Sequence, residues 1–376
     1  GNGPSQAGEL GNSLLPYIEE LKQQGLVSAD LDFDYGVVGT HWSGMSSLDI
    51  KPLPANVDFA NLSPADLAAL VTFTSSFIGQ LFVDFDNFQA MPDRLRQGQL
   101  ATLVLARLLD NGAFNSLPAF QTPPGSPVGA GQPVLRSGEV SYFGASLGGI
   151  MGLMFTSLYP QLEHSIVDVG AINFSFLLQR AKPFKAFQSV LEVIDPDPVR
   201  QLIGLGLLHE LWVKGESAGY INHLEGEITP RFPGNGINPV LMTVARHDQQ
   251  VSTLGAQIAA ASIGLMNMPG SAEQNLPLVP DALYRGARSG HIIYDTGAYQ
   301  VGTQTEQFIP PAVNRPAPVD DNTCDPHATR FTIPASIEQM LTFFQPEGRI
   351  YNFCNGLCDA AEPLELPDGL ATPCVP

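Results

Sequence analysis

The residues with the clearest chemical potential lie in the run Glu139-Val-Ser-Tyr-Phe-Gly-Ala-Ser-Leu-Gly-Gly-Ile-Met-Gly152. Inside it, Gly144-Ala-Ser-Leu-Gly148 is a G-x-S-x-G. Val140 to Phe143 is rich in β-branched and aromatic residues and reads as a strand. From Leu147 through Leu153, Met154 and Phe155 the chain reads as a buried helix. A serine on so tight a strand-to-helix turn is forced into strained backbone angles, and small residues two before and two after it let the chains pass. The hydroxyl of Ser146 then projects free above a helix N-terminus, and the backbone N–H of Leu147 points to where an oxyanion would form. That is the chemistry of a nucleophile attacking a carbonyl. The competing reading is a glycine-rich junction with an incidental serine, since a bare G-x-S-x-G is common by chance. The strand before it and the helix after it favour the nucleophile.

This arrangement resembles the nucleophile elbow of the α/β-hydrolase superfamily. The longer run Tyr142-Phe-Gly-Ala-Ser-Leu-Gly-Gly-Ile-Met-Gly152 is similar to that of a group of bacterial, secreted serine esterase- or lipase-like hydrolases. The resemblance implies a mostly parallel sheet flanked by helices and an order of nucleophile, acid, histidine. Serine needs a base, and the base needs an orienting acid. The family's acid follows the strand after the cap insertion, where Asp248 stands in Ala-Arg-His-Asp-Gln-Gln-Val251; Asp168, inside an earlier strand, is the alternative. Two histidines compete for the base. His291 opens the last strand in Ser-Gly-His; His327 lies in a loop before the final helix. The family places its histidine after the last strand, which favours His327, and Asp-Pro-His followed by Arg330 also resembles the bacterial group.

The elements that must position these groups can be read along the chain. Ser13 to Gly25 is an amphipathic helix with Leu14, Leu15, Ile18 and Leu21 on one face and Gly25 as its stop. Phe33 to Thr40 reads as a buried strand that runs into the loop His41-Trp-Ser-Gly-Met-Ser-Ser-Leu-Asp49. By the resemblance this is the family's fourth strand, whose following loop lines the ligand crevice. His41 and Trp42 are therefore substrate-pocket candidates, with simple packing as the equal alternative. Ser63-Pro-Ala-Asp66 has the cap, first-turn proline and acid of a helix start, and helical sequence continues to Leu109. Residues 121–134 form a Pro/Gly loop.

Downstream, strands are expected at His164 to Ile172, Pro239 to Ala245 and Ser289 to Asp295. The middle one is a continuous apolar run, as a parallel strand buried on both faces requires. Helices are expected from Thr253 to Leu265 and from Pro334, with Ile337, Met340, Leu341 and Phe344 on one face. The domain reading is an α/β core over 1–172 and 233–350, a helical cap or lid over 173–232, and a cysteine-containing tail over 351–376.

Of 376 residues, 44% are hydrophobic, enough for a full core. Lys and Arg number 18 against 37 acids, a formal net charge of −19, which repels nucleic acid and anionic membrane surfaces. No apolar run reaches the roughly 18 residues that a membrane span needs, and no motif implies a metal or other cofactor. The four cysteines, Cys324, Cys354, Cys358 and Cys374, suggest two disulfides and an oxidising compartment, outside the cell or in a periplasm. Cys354–Cys358 is the local pairing, leaving Cys324–Cys374, out of three possible connectivities. The expected substrate is a small-molecule or lipid-like ester. In the family, a loop after the third strand gives the second oxyanion donor. Gly1-Asn-Gly-Pro-Ser-Gln-Ala-Gly8 resembles the sequence just past that loop. The resemblance thus implies that the second N–H comes from a separate N-terminal chain of the same precursor, or from within Gly1 to Gly3.

Overall fold

A computed structural model of the chain describes residues 14–31, 36–43, 45–46, 49, 61–175, 177, 181, 184–225, 229–283, 286–295, 325–327 and 333–359. In chain order its elements are α1 (Leu15–Gln23), α2 (Pro64–Thr74), α3 (Phe77–Val83), α4 (Ala90–Asp110), β1 (Tyr142–Ala145), α5 (Leu147–Leu158), β2 (Ser165–Asp168), α6 (Lys185–Ile194), α7 (Pro198–Trp212), β3 (Val240–Ala245), α8 (Thr253–Ile263), β4 (Gly290–Tyr294) and α9 (Pro334–Phe344). The four strands form one parallel sheet in the order β1-β2-β3-β4. Parallel neighbours need crossovers, and α5 makes the crossover from β1 to β2. The register sets Ala145 level with Asp168 and Asp168 level with Thr243, so these strands end together.

Alternation along each strand builds the two apolar layers. Ile166, Leu241, Ile292 and Tyr294 face Tyr17, Ile18 and Leu21 of α1 and Ile337, Met340, Leu341, Phe343 and Phe344 of α9. Val167, Met242, Val244 and Ile293 face Leu153 of α5 and Ala256, Ala259, Ala260 and Ile263 of α8. Every residue of β2, β3 and β4 is buried, which is why these segments are unbroken apolar runs rather than half-polar ones. The fold class is α/β: a parallel sheet between helical layers.

A third apolar cluster lies beside the elbow helix. Ile150, Met151 and Met154 of α5 pack with Trp42, Met45, Phe73, Leu81, Met91, Leu95, Phe174, Leu177 and Trp212. It joins the α2–α4 region to the 173–232 segment, whose described residues include α6, α7 and 3₁₀ turns at Val213–Gly215, Ser217–Gly219 and Ile221–His223. Helix α2 starts as its sequence requires: Ser63 Oγ accepts the Asp66 N–H at 3.1 Å, and the Asp66 carboxylate accepts the Ser63 N–H at 3.0 Å.

The described part of one expected strand is not strand; residues 33–35 lie outside the described residues. Residues 36–40, the described part of the 33–40 run, lie outside the sheet, with Val37 43% and Val38 48% exposed. The segment crosses α4 instead: Thr40 Oγ1 is 3.0 Å from Thr102 Oγ1, and a side chain at Gly98 would meet the Ser43 backbone at 2.7 Å. These contacts hold residues 40–43 on α4, and β1 is the first strand of the described residues.

Cys354 and Cys358 form a disulfide; Cys324 and Cys374 lie outside the described residues. No helix among the described residues is long and apolar enough to cross a membrane.

Candidate active site

Ser146 joins β1 to α5 with φ 55° and ψ −120°. A non-glycine residue at such angles costs about 1–3 kcal/mol and persists only where its surroundings over-determine it. Here they do. The Ser146 N–H donates to the Asp168 carbonyl at 3.0 Å, and its carbonyl accepts the Ile150 N–H at 2.9 Å. The Tyr142 hydroxyl donates to the Gly148 carbonyl at 2.6 Å. Burial holds the Tyr142 phenol well above its usual pKa, so it stays a neutral donor.

The glycines of the elbow divide by what a side chain would strike. At Gly144 a Cβ would run into the Gly148 carbonyl oxygen and lie 2.5 Å from the Tyr142 hydroxyl. At Gly149 it would meet the Asp168 carbonyl oxygen at 2.6 Å, because α5 lies directly on the end of β2. At Gly148 the nearest atom is 3.9 Å away. The sequence pattern treats Gly144 and Gly148 alike; the packing demands the first and tolerates a substitution at the second. The Leu147 N–H opens the first turn of α5, where no carbonyl four residues back is available.

Asp248 follows β3 by three residues, in a turn entered through His247 at φ 63°. The turn is fixed to the sheet by Arg246. Its N–H donates to the Tyr294 carbonyl at 2.8 Å, and its guanidinium reaches Glu273 at 2.6 Å and Asp295 at 2.7 Å. The Asp248 side chain is 1% exposed. Oδ1 accepts the N–H groups of Gln250 at 2.7 Å and Val251 at 2.8 Å. Oδ2 pairs with His327 Nδ1 at 2.7 Å. A buried carboxylate held in place by backbone donors fixes the tautomer of the imidazole it accepts from.

Burial alone would lower the pKa of His327, but Asp248, then Asp325 and Asp168, outweigh it and push it up to about 9. Asp168, the alternative acid, spends its Oδ1 on the Thr243 hydroxyl at 2.7 Å. It is nonetheless the link across the site, with its carbonyl on Ser146 N–H and its charge acting on His327. Ser146, Asp168 and Asp248 thus stand at or just beyond the carboxyl ends of β1, β2 and β3, the edge where open α/β sheets hold their ligands.

His291 stands elsewhere. It lies within β4, level with Met242, is 0% exposed, and faces Asn267 Oδ1 at 3.3 Å. Three strand spacings, about 14 Å, separate β4 from β1. Burial pushes its pKa down to about 4. His41 is exposed, whereas Trp42 is a core residue packed with Met151 and Trp212. Gly3 lies outside the described residues. His209, in the 173–232 segment, is 3.2 Å from Glu216, and the His223 ring packs on Phe232 with centroids 4.3 Å apart.

Comparisons with protein-family models, with curated proteins and with solved structures match nothing. Sequence reasoning missed one member of the site. Asp325 accepts the N–H groups of Gln249 and His327, each at 3.2 Å, and the Gln250 side-chain amide at 2.9 Å. The available signal was an acid two residues before the histidine, the spacing of an Asx turn. Among the described residues no group of three or more His, Cys, Asp or Glu is placed to hold a metal.

Proposed function

We propose that the protein is a serine hydrolase of the α/β-hydrolase kind, cleaving a carboxylic ester through an acyl-enzyme. The observation that carries this reading is the 2.7 Å pair of His327 Nδ1 with buried Asp248, at the sheet edge that also presents the strained Ser146. A merely structural junction needs neither.

In the mechanism, His327 Nε2 takes the Ser146 hydroxyl proton as Oγ attacks the ester carbonyl. The tetrahedral oxyanion is stabilised by the Leu147 N–H and the positive end of α5. Collapse expels the alcohol, which leaves with the proton from His327, and the acyl group stays on Ser146. Water, deprotonated by the same imidazole, attacks the acyl-enzyme and releases the acid. Asp248 orients the ring and stabilises its cationic form throughout. The 173–232 segment would act as the cap over an apolar acyl group, and the Cys354–Cys358 disulfide supports a secreted or periplasmic setting.

The test is labelling by a fluorophosphonate probe, with turnover of a short p-nitrophenyl ester. Wild type should label at Ser146, and Ser146→Ala should lose both labelling and several orders of magnitude in kcat with folding intact. His327→Ala should behave likewise, and His291→Ala should keep most of its activity. Absence of labelling in folded wild type would leave a binding protein on a hydrolase scaffold instead.

A further inference from the structure

Among the described residues the histidine loop offers only a short 3₁₀ turn at Pro326-His327 to mount the base. Its described residues, 325–327, lie between β4 and α9, seven positions before α9 begins. Yet the Nδ1–Oδ2 contact needs the ring placed to a few tenths of an ångström. We infer that Asp325 is the positioning residue of this site: a second carboxylate that clamps the histidine loop onto the acid turn and biases the proton affinity of the base.

The clamp consists of three bonds to two loops. Asp325 Oδ1 accepts the His327 N–H, closing the histidine's own turn, and also the Gln249 N–H, one residue past Asp248. Asp325 Oδ2 accepts the Gln250 side chain, whose backbone N–H is bound by Asp248 Oδ1. Asp248 and Asp325 therefore hold the same dipeptide, Gln249-Gln250, from two sides. The acid turn is itself tied to β3 and β4 through Arg246, so the base is referenced to the sheet by way of Asp325. The groups facing His327 are Asp248 from the acid turn, Asp168 from the end of β2 and Asp325 from its own loop, all carboxylates. Removing one of them lowers the proton affinity of the ring; removing the clamp also moves the ring.

These two roles separate in two variants. Asp325→Asn keeps a carbonyl oxygen for the loop N–H groups, deletes the charge and gives up the Gln250 arm, which Gln250→Ala removes alone. Asp325→Ala deletes both oxygen and charge. The inference rests on the hydrolase reading for its kinetic arm only, so the experiment has two readouts. His327 is titrated by NMR of its ring Cε1–H, assigned with His327→Gln, and pH profiles of kcat/KM are measured on the p-nitrophenyl ester. Asp325→Asn should lower the His327 pKa by about one unit, as loss of a carboxylate a few ångströms away does, and move the acid limb of kcat/KM by the same amount. Asp325→Ala should add a loss of about 10–100-fold in kcat with KM little changed, the cost of a misplaced base. Gln250→Ala, which cuts one arm, should fall between wild type and Asp325→Ala in kcat.

An Asp325→Asn protein whose His327 titrates as in wild type overturns the inference, even if the enzyme is active. A shift of His327 in a protein that neither labels nor turns over supports the action of Asp325 on the ring and sinks the hydrolase reading. Should Asp325→Ala fail to fold, Asp325→Asn and Gln250→Ala still decide.

Discussion

A base flanked by three carboxylates has consequences for when it can act. In the proposed mechanism the His327 imidazole must be neutral to accept the serine proton, and its pKa in the folded protein is raised to about 9. The fraction of the protein with a neutral ring therefore grows as pH rises through that value. We expect kcat/KM to climb from pH 6 to pH 9, with an acid limb well above the ordinary histidine value of about 6.5. A limb at or below 6.5 would mean that the carboxylates do not act on the ring as described. The elbow gives a second expectation at this scale. Gly144→Ala and Gly149→Ala drive a methyl into carbonyl oxygens and should each cost about 2–4 kcal/mol, in the range of severe backbone conflicts. Gly148→Ala, with 3.9 Å of room and better helix propensity, should leave stability within about 1 kcal/mol of wild type. Urea midpoints of the three variants check this; equal losses at all three would contradict the packing described.

At the scale of elements, what was legible in the sequence follows a physical divide. The strands β2, β3 and β4 announce themselves as short apolar runs because both faces are buried, and α2 and α9 because Ser63-Pro and Pro334 mark their starts. Residues 36–40 belong to a run with the same local look and are not strand, because strand formation needs a ladder partner, and sequence carries no record of that. The loops of Asp248 and His327 are the same case: sequence sets them after β3 and before α9, but not their 2.7 Å pairing or the Asp325 contacts, which join residues more than seventy positions apart. The seating of the 173–232 segment was equally hidden. Ser217 Oγ inserts between the Ile150 carbonyl and the Met154 N–H of α5, the latter at 2.9 Å. Its neighbour Glu216, 0% exposed, accepts the Phe174 N–H at 3.0 Å and faces His209. Glu216→Ala would leave that buried N–H without its acceptor and should destabilise the protein by about 2–3 kcal/mol. Glu216→Gln, which keeps an oxygen there, should lose less. Chemical unfolding of the two variants measures the difference, and identical stabilities would show that Glu216 does not hold the segment down.

At the scale of the whole molecule, the buried histidines set how stability changes with pH. His164 and His291 are 4% and 0% exposed. Burial lowers both to about 4; at His164 the Arg288 charge adds to it, against a hydrogen bond to the Gly348 backbone. In the unfolded chain each titrates near 6.5. Between pH 6.5 and 4 the unfolded state therefore binds up to two more protons than the folded one, and stability falls as pH falls. The contribution of each ring is complete above pH 6.5 and is lost on the way down to pH 4, with a limit of about 3 kcal/mol apiece. His327 works in the opposite direction, since its folded pKa is raised: its contribution is complete below 6.5 and lost as pH rises through about 9. The chain should accordingly be most stable around neutral pH and lose ground on both sides, the acid side more steeply because two rings act together. Urea unfolding from pH 4.5 to 7 tests the acid side. His164→Gln and His291→Gln should each flatten the slope of stability against pH by about 1.4 kcal/mol per unit, the value of one proton, whatever they cost in absolute stability. If neither variant changes the slope, these rings are already protonated in the folded protein, and the buried neutral state assigned to them is wrong.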